Sequence, residues 1–194
     1  MKALILLANP QSEASFCGAI ALTVLKEVQK TTNDVIVRDL YAEKFDPILT
    51  HSELTTPNDE LSGYIREQIQ ELLDCDLLVV VHPNWWGMPP AILTGYIDRV
   101  MRQGFCYAFC EEGAIQKLKG KKLMVFVTAN TPEEVEIQFN HDPLRNLWTN
   151  VIPSTVGFAP VEYTCYSSVI MSDEAQREAW LTDAAQKTRN MIDR

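Results

Sequence analysis

Short apolar runs alternate with segments of helical periodicity along this chain, and that alternation constrains its fold more than any other feature. The clearest run, residues 77–81, contains only leucine and valine, which is typical of a strand buried on both faces. Strands that alternate with helices in this way form a parallel sheet with helices on both faces. The sequence therefore predicts an α/β fold with a five-stranded parallel sheet, although the pattern alone leaves the strand order open. The predicted strands cover residues 3–8, 34–40, 77–81, 122–127 and 161–166, and the predicted helices cover 16–29, 60–73, 173–192 and the segments that begin at 90 and 142.

The size and charge of the chain narrow the classes of protein to which it can belong. A length of 194 residues suits one domain, which we expect to span residues 1–194, and the formal net charge is −9. Nucleic acids and anionic membranes bind clustered Lys and Arg, so this charge argues against both as partners. The five cysteines include no Cys-x-x-Cys pair and, with three dispersed histidines, form no metal-ligand pattern. The run at 3–8 is too short for a signal peptide and no run reaches the ~20 residues of a membrane span, so we expect a cytoplasmic protein.

Three loops are expected to meet at one edge of the predicted sheet. Both common strand orders of such sheets place the working loops after the first, third and fourth strands, which here are residues 9–16, 83–89 and 128–131. Ligands of open α/β sheets bind in the crevice beyond the carboxyl ends of the strands. The convergence of all three loops is stronger evidence for a site than any one of them.

The first loop precedes a predicted helix and carries hydroxyl groups at Ser12 and Ser15. Free backbone N–H groups and the helix dipole at such a position suit a phosphate group. The loop has no glycine before Gly18, so it is neither a Walker loop nor a Gly-x-Gly-x-x-Gly turn. Alternatively, its serines do no more than cap the helix.

The second loop contains two adjacent tryptophans, Trp85 and Trp86, before Pro90 opens the next helix at its first position. Exposed tryptophans are costly, so a flat apolar group is expected to cover at least one of them unless they belong to the core or to an interface. The third loop, residues 128–131, offers backbone amides and small side chains that suit the edge of a heterocycle. Together the loops suggest a site for a planar aromatic cofactor.

The segment around Trp85 also resembles a known family. Its pattern is Pro83-x-Trp85-Trp86-x-x-x-Pro90-Ala91-Ile92-Leu93-x-Gly95-x-x-x-Arg99-Val100, followed by Gly104-Phe105-x-Tyr107. Supporting matches are Leu7-Ala8 with Ser15-Phe16, Asp39-Leu40-Tyr41 and Phe45-Asp46-Pro47. On these motifs, which run in order from residue 1 to about residue 160, the chain resembles the flavodoxin-like NAD(P)H:quinone oxidoreductases.

The resemblance implies a flavodoxin-like three-layer sandwich with strand order 2-1-3-4-5, a tightly bound FAD, and a homodimer with its site at the interface. It also implies a ping-pong, two-electron reduction of quinones or similar acceptors, with NAD(P)H as the co-substrate. The residues implied to contact the flavin are Ser15 and Phe16 at the phosphate and adenosine end, Pro83, Asn84, Trp85 and Trp86 along the ribityl chain and isoalloxazine, and Thr128, Ala129 and Asn130 on the pyrimidine side. Tyr107 and Phe109 are implied to border the substrate pocket of the partner subunit.

Several departures from the family pattern bear on the cofactor. Asn9 stands where the family has a histidine, Cys17 where it has an asparagine, and residues 128–131 replace Thr-Thr-Gly-Gly. These differences make FMN, which is shorter, the alternative to FAD. The family's Tyr/His pair has no equivalent in register, so we interpret His141 as a surface residue at a helix start and assign no catalytic residue.

We interpret the other polar residues near these loops as structural. His51 and His82 are expected to have structural roles, and the acidic run from Glu133 to Glu136 is expected to form a solvated surface. Cys106 and Cys110 are expected to pack as small residues.

Three other functions remain open at this point. A one-electron flavodoxin-type carrier fits the acidic charge, but such carriers have a phosphate loop rich in Thr, Ser and Gly, which residues 9–15 lack. A regulatory flavoprotein subunit of a membrane transporter would carry the same motifs, although nothing in the sequence indicates a transporter. The fold could also belong to a protein that has lost its cofactor.

Overall fold

The computed structural model describes residues 1–56, 58–138 and 141–194. Its strands are β1 (Ala3–Leu7), β2 (Val35–Asp39), β3 (Leu77–Pro83), β4 (Tyr107–Cys110), β5 (Gly113–Gln116), β6 (Lys122–Thr128) and β7 (Val161–Tyr166). Its helices are α1 (Phe16–Gln29), α2 (His51–Thr55), α3 (Gly63–Asp74), α4 (Ala91–Val100), α5 (Glu133–Gln138), α6 (Pro143–Asn146), α7 (Ile152–Val156) and α8 (Glu174–Asp193). A π-helical turn, Leu147–Val151, joins α6 to α7, and short 3-10 turns lie at Asn58–Glu60 and Val169–Met171.

Five of the strands form one parallel sheet in the order β2-β1-β3-β6-β7. Counted among these five strands alone, the order is the 2-1-3-4-5 that the family resemblance implies. The remaining strands, β4 and β5, form an antiparallel hairpin that the sequence analysis did not predict. Each has only four residues, too few to show a clear alternation of apolar and polar positions.

Successive residues of β3 point into two different cores. Leu78 and Val80 belong to a cluster with α3, α4 and the helical stretch from α6 to α7. Val79 and Val81 belong to a cluster with α1 and α8 on the opposite face. Because side chains alternate across a strand, a strand covered on both faces must be apolar at every position, which accounts for the unbroken run at 77–81.

The start of α4 and the segment between β2 and α3 differ from what the sequence predicted. Pro90 is in an extended conformation (φ −52°, ψ 146°) and precedes α4 as its cap, so the prediction that it is the first helical residue was wrong by one position. The segment between β2 and α3, for which the sequence predicted neither a helix nor a strand, contains the short helix α2. Within the described residues, no helix combines the length and apolar character needed to cross a membrane.

Segment 45–55 is held against α4 by the side chains of Arg99, in the helix, and Arg102, just after it. The Nε of Arg99 lies 3.0 Å from a carboxylate oxygen of Glu53, and Arg102 donates to the backbone oxygen of Glu53 at 2.9 Å. A side chain at Gly95 would overlap the backbone of Pro47, so the glycine allows the segment to lie directly on the helix. These contacts keep the C-terminal half of α4 covered by segment 45–55.

A buried histidine joins β3 to the stretch between α6 and α7. His82 Nε2 accepts a hydrogen bond from Trp148 Nε1 at 3.0 Å, and His82 Nδ1 donates to the carbonyl oxygen of Pro83 at 2.8 Å. Both rings are completely buried, as expected for a structural histidine. Burial disfavours the charged imidazolium and lowers the pKa of His82 from 6.5 to about 4.

The stability of the protein is therefore expected to depend on His82 between pH 6.5 and pH 4. The unfolded chain protonates this ring near pH 6.5 and the folded chain only near pH 4, so the unfolded chain binds more protons within this window. The stabilisation is complete above pH 6.5 and is lost as the pH falls to 4, which amounts to about 3 kcal/mol of unfolding free energy. Urea unfolding of wild type and His82→Gln at several pH values measures this difference in pH dependence. His141→Gln, at an exposed position, is the control, and equal pH slopes for wild type and His82→Gln would contradict the assignment.

Candidate functional site

The three loops predicted to meet do lie together at the carboxyl edge of β1, β3 and β6. The backbone N–H of Asn84, after β3, donates to the carbonyl oxygen of Thr128 at 2.7 Å. The Sγ of Cys17, in the first turn of α1, lies 3.1 Å from Oγ1 of the same threonine. Thr128 is therefore the point at which all three parts of the edge are joined.

The first loop ends in a capped helix. Ser15 is the N-cap of α1, and its Oγ accepts a hydrogen bond from the N–H of Gly18 at 3.1 Å. The other N–H groups of a first helical turn have no acceptor within the helix, so they face outward as donors. Phe16 packs against Tyr166 and Trp180, with ring centroids 6.1 and 5.7 Å away. Ser15 thus performs the capping that the sequence allowed, and its role toward a phosphate stays a prediction.

The second loop is a tight turn with a strained tryptophan at its tip. Trp85 and Met88 exchange backbone hydrogen bonds of 3.1 and 3.0 Å around the two residues Trp86 and Gly87. Both central residues have positive φ, 59° for Trp86 and 71° for Gly87, as in a type I′ turn. Positive φ is a genuine exception for a bulky side chain. Trp86 is nevertheless 96% exposed, so packing within this chain does not explain why it is held there.

An open cleft of about 540 Å³ lies beside this turn. It is lined by Asn84, Trp86, Gly87, Thr131, Glu136 and Pro143. Gly87 is required at its place, because a Cβ atom there would lie 2.9 Å from Cγ of Pro143. The cleft therefore has one large aromatic wall, Trp86, and one carboxylate, Glu136.

Glu136 is the residue of this cleft that the sequence analysis misjudged. Glu133 and Glu134 are exposed as expected, but the side of α5 that carries Glu136 faces inward and leaves this residue only 8% exposed. The prediction that the whole acidic run is solvated was therefore wrong for Glu136. The sequence of the acidic run does not indicate which glutamate is buried. Burial depends on how the six-residue helix α5 packs against the neighbouring loop.

The third loop uses much of its own hydrogen-bonding capacity within the protein. The N–H of Ala129 donates to Tyr166 O at 2.9 Å, and Ala129 O accepts from the N–H of Val169 at 3.0 Å. The Oδ1 of Asn130 accepts from the N–H of Ile170 at 3.1 Å. A ligand at this edge would accordingly meet the exposed side chain of Asn130 rather than the amide of Ala129.

Tyr107 and Phe109 lie away from the tryptophan turn. They stand in contact on β4, with ring centroids 5.3 Å apart, and line a cleft of about 750 Å³. The other walls of that cleft include Ile97 and Met101, at the C-terminal end of α4, whereas Trp86 precedes the N-terminal end of this helix. Ten helical residues span about 15 Å, so a single chain does not bring these aromatic residues together.

Cys17 and Cys106 are buried thiols, whereas the prediction that Cys110 packs as a small residue was wrong. Burial raises the pKa of Cys17, with a hydrogen bond to Thr128 acting in the opposite direction. Burial also raises the pKa of Cys106 to about 12, while Cys110 is exposed. Cys17 is therefore a protonated thiol at neutral pH, and its side chain neighbours the hydrogen-bonding groups of Thr128 and Asn9.

The fold and the edge loops define a flavodoxin-like α/β protein, and comparison with known proteins agrees. The sequence profile of the flavodoxin-like fold family matches residues 1–191. The chain therefore belongs to this family. A Haemophilus influenzae protein named an uncharacterized NAD(P)H oxidoreductase is 36% identical and covers 97% of this chain and 95% of its own length. The rat ribosyldihydronicotinamide dehydrogenase [quinone] is 27% identical over 98% of this chain and 92% of its own length. The crystal structure of Smu.1420 from Streptococcus mutans superposes with a TM-score of 0.83 at 32% identity, covering 98% of this chain and all of that one.

We expect Gly18→Ala to displace the first loop and destabilise the protein. A Cβ atom at this position would overlap the backbone oxygen of Ser12, which has no freedom to rotate away. The unfolding free energy should fall by about 1–3 kcal/mol, measured by urea unfolding. Gly63→Ala is the matched control, since nothing lies within 4 Å of its Cβ position, and it should leave stability within about 1 kcal/mol of wild type. Equal stabilities for the two variants would show that the first loop does not rest on α1 as described.

Proposed function

We propose that this protein is a flavin-dependent NAD(P)H oxidoreductase that reduces quinones or similar acceptors by two electrons in a ping-pong reaction. The observation that carries the proposal is Trp86, a fully exposed aromatic ring held in a strained turn at the carboxyl edge of the sheet. A flat ligand stacked on this ring would remove the exposed surface from water. The names of the H. influenzae and rat relatives support the choice of NAD(P)H and quinone as substrates.

The residues at this edge suit a flavin. The outward N–H groups of the first turn of α1, next to Ser15 and Phe16, provide donors for a phosphate group. Asn84 and Trp86 line the cleft, and Pro83 and Trp85 are their neighbours in the chain. Thr128, Ala129 and Asn130 complete the edge, with Asn130 contributing an exposed amide side chain. We propose FAD as the cofactor and FMN as the alternative.

The protein itself has a limited set of tasks in this proposal. When bound, the flavin supplies the two-electron transfer, so the chain needs to bind, orient and expose one face of the ring rather than provide acid–base groups. Trp86 shapes the slot for flat substrates. Because nicotinamide and quinone are both planar and would use the same slot, the oxidised NAD(P)+ must leave before the acceptor binds, which accounts for the ping-pong order.

We further propose that the active form is a homodimer. The separation of Tyr107 and Phe109 from Trp86 by the length of α4 supports this, since a second copy can bring its own β4 to the first copy's turn. Exposed apolar side chains at Leu54, Phe109 and Val151 around the 750 Å³ cleft supply a surface for such pairing. We also propose that residues 1–194 form one domain and that the protein is cytoplasmic, which the unpaired state of all five cysteines supports.

The first test is the visible spectrum of the purified protein. We expect the absorption bands of an oxidised flavin, which bleach when NADH or NADPH is added without oxygen and return when a quinone is added. Chromatography of the cofactor released by heat identifies it as FAD or FMN. A colourless protein that takes up neither flavin would overturn the proposed function and leave only the fold.

Replacement of Trp86 by alanine should affect substrate use rather than stability. Loss of one stacking partner is worth about 1 kcal/mol, so kcat/KM for a quinone should fall about five- to tenfold. The unfolding free energy should stay within about 0.5 kcal/mol, because the indole is exposed. Met171→Ala, at another exposed apolar position on the same edge, is the control and should leave kcat/KM unchanged. Equal effects of the two substitutions would exclude Trp86 from the substrate slot.

A further inference from the structure

A chain of hydrogen bonds connects Glu136 to the tryptophan turn. The Oε1 of Glu136 accepts from Nδ2 of Asn84 at 3.0 Å, and Oδ1 of Asn84 accepts from the N–H of Gly87 at 2.9 Å. Both ends of the Asn84 amide are therefore used. Because a carboxylate can only accept, Glu136 determines which way round the amide lies, and it leaves the oxygen of Asn84 facing Gly87.

The turn needs such support because its own residues do not favour its shape. A left-handed conformation at a residue other than glycine costs about 1–2 kcal/mol, and Trp86 has φ of 59°. The indole is exposed, so it returns little packing energy in the ligand-free chain. The hydrogen bond from Gly87 to Asn84 is a contact that selects this conformation directly.

The position of Glu136 is consistent with support of the Trp86–Gly87 turn. Its side chain is buried, although burial of a carboxylate is unfavourable unless it is hydrogen-bonded. Its backbone oxygen accepts from the N–H of Asp142 at 2.9 Å, which ties the same residue to the start of α6. Pro143 of α6 in turn lies against Gly87 across the cleft. Glu136 thus connects two segments that enclose the turn, the loop through its carboxylate and the start of α6 through its backbone oxygen.

We propose that Glu136 is a positioning residue that holds the Trp86–Gly87 turn, through Asn84, in the geometry on which the flavin and its flat substrates stack. This inference rests on the proposed function for the identity of the ligands. The hydrogen-bond chain makes the carbonyl-type oxygen of residue 136 the essential feature and its negative charge dispensable. Glutamine, which keeps that oxygen, can therefore replace glutamate, and alanine cannot.

The direct test measures the turn without any ligand. Amide hydrogen exchange at Gly87, followed by NMR, reports whether its N–H is held by Asn84. We expect Glu136→Ala to reduce the protection of this amide at least tenfold and Glu136→Gln to keep it within threefold of wild type. Glu134→Ala, an exposed glutamate on the same helix, is the matched control and should leave the protection unchanged.

A second variant tests the connection through Asn84. Asn84→Ala should expose Gly87 to exchange as much as Glu136→Ala does, and the double variant should be no worse than Asn84→Ala alone. Additive losses would show that Glu136 acts by another route and would overturn the proposal. Asn84→Ala also gives a measurement at Gly87 should Glu136→Ala fail to fold.

Flavin titration, followed by quenching of flavin fluorescence, then measures the consequence for binding. The Kd for the flavin should rise about five- to tenfold in Glu136→Ala and stay within twofold in Glu136→Gln and Glu134→Ala. If Glu136→Gln is as damaging as Glu136→Ala in both measurements, charge rather than positioning is the property that matters, and the proposal is wrong. If wild type binds neither FAD nor FMN, the proposed function fails, while exchange at Gly87 still decides whether Glu136 positions the turn.

Discussion

Strand β3 lies between β1 and β6 in the sheet, and every one of its seven residues is buried. Its side chains supply both cores, and its parallel ladders fix the level at which the neighbouring strands end. The position of the edge loops follows from this register. Asn84 can reach Thr128, and Thr128 can reach Cys17, only because β1, β3 and β6 finish side by side. The candidate site is thus a consequence of how one strand is buried.

Besides β3, the stretch from α6 to α7 also determines the position of the tryptophan turn. At one point it is anchored to β3 by the bond between Trp148 and His82, inside the core. At its beginning, Pro143 limits the space beside Gly87, and the N–H of Asp142 holds the backbone of Glu136. The same segment therefore touches the strand and the turn that follows it. This arrangement holds a strained and exposed loop in a fixed position relative to a rigid core. Backbone strain that a protein retains is found mostly at functional sites, where the surrounding structure maintains it.

The sequence predicted those parts of the fold that local patterns determine. The bounds of α1 and β7 agree with the structure, because apolar periodicity depends on residues close together in the chain. The hairpin of β4 and β5 and the helix α2 were missed because each is too short to show a period. The site divides in the same way. Sequence placed the three loops at one edge, but the inward face of Glu136 and its support of the turn through Asn84 depend on contact between segments distant in the chain.

The distance along α4 between Trp86 and Tyr107 has a consequence for how activity is shared between chains. In the proposed dimer, each pocket takes its turn from one chain and its β4 aromatic residues from the other. A pocket is then a property of the pair, and each pair has two. If one chain carries a defect at Trp86 and its partner a defect at Tyr107, both defects fall in the same pocket. The other pocket is left intact, so two chains that are each impaired as homodimers would form a heterodimer with one fully functional pocket.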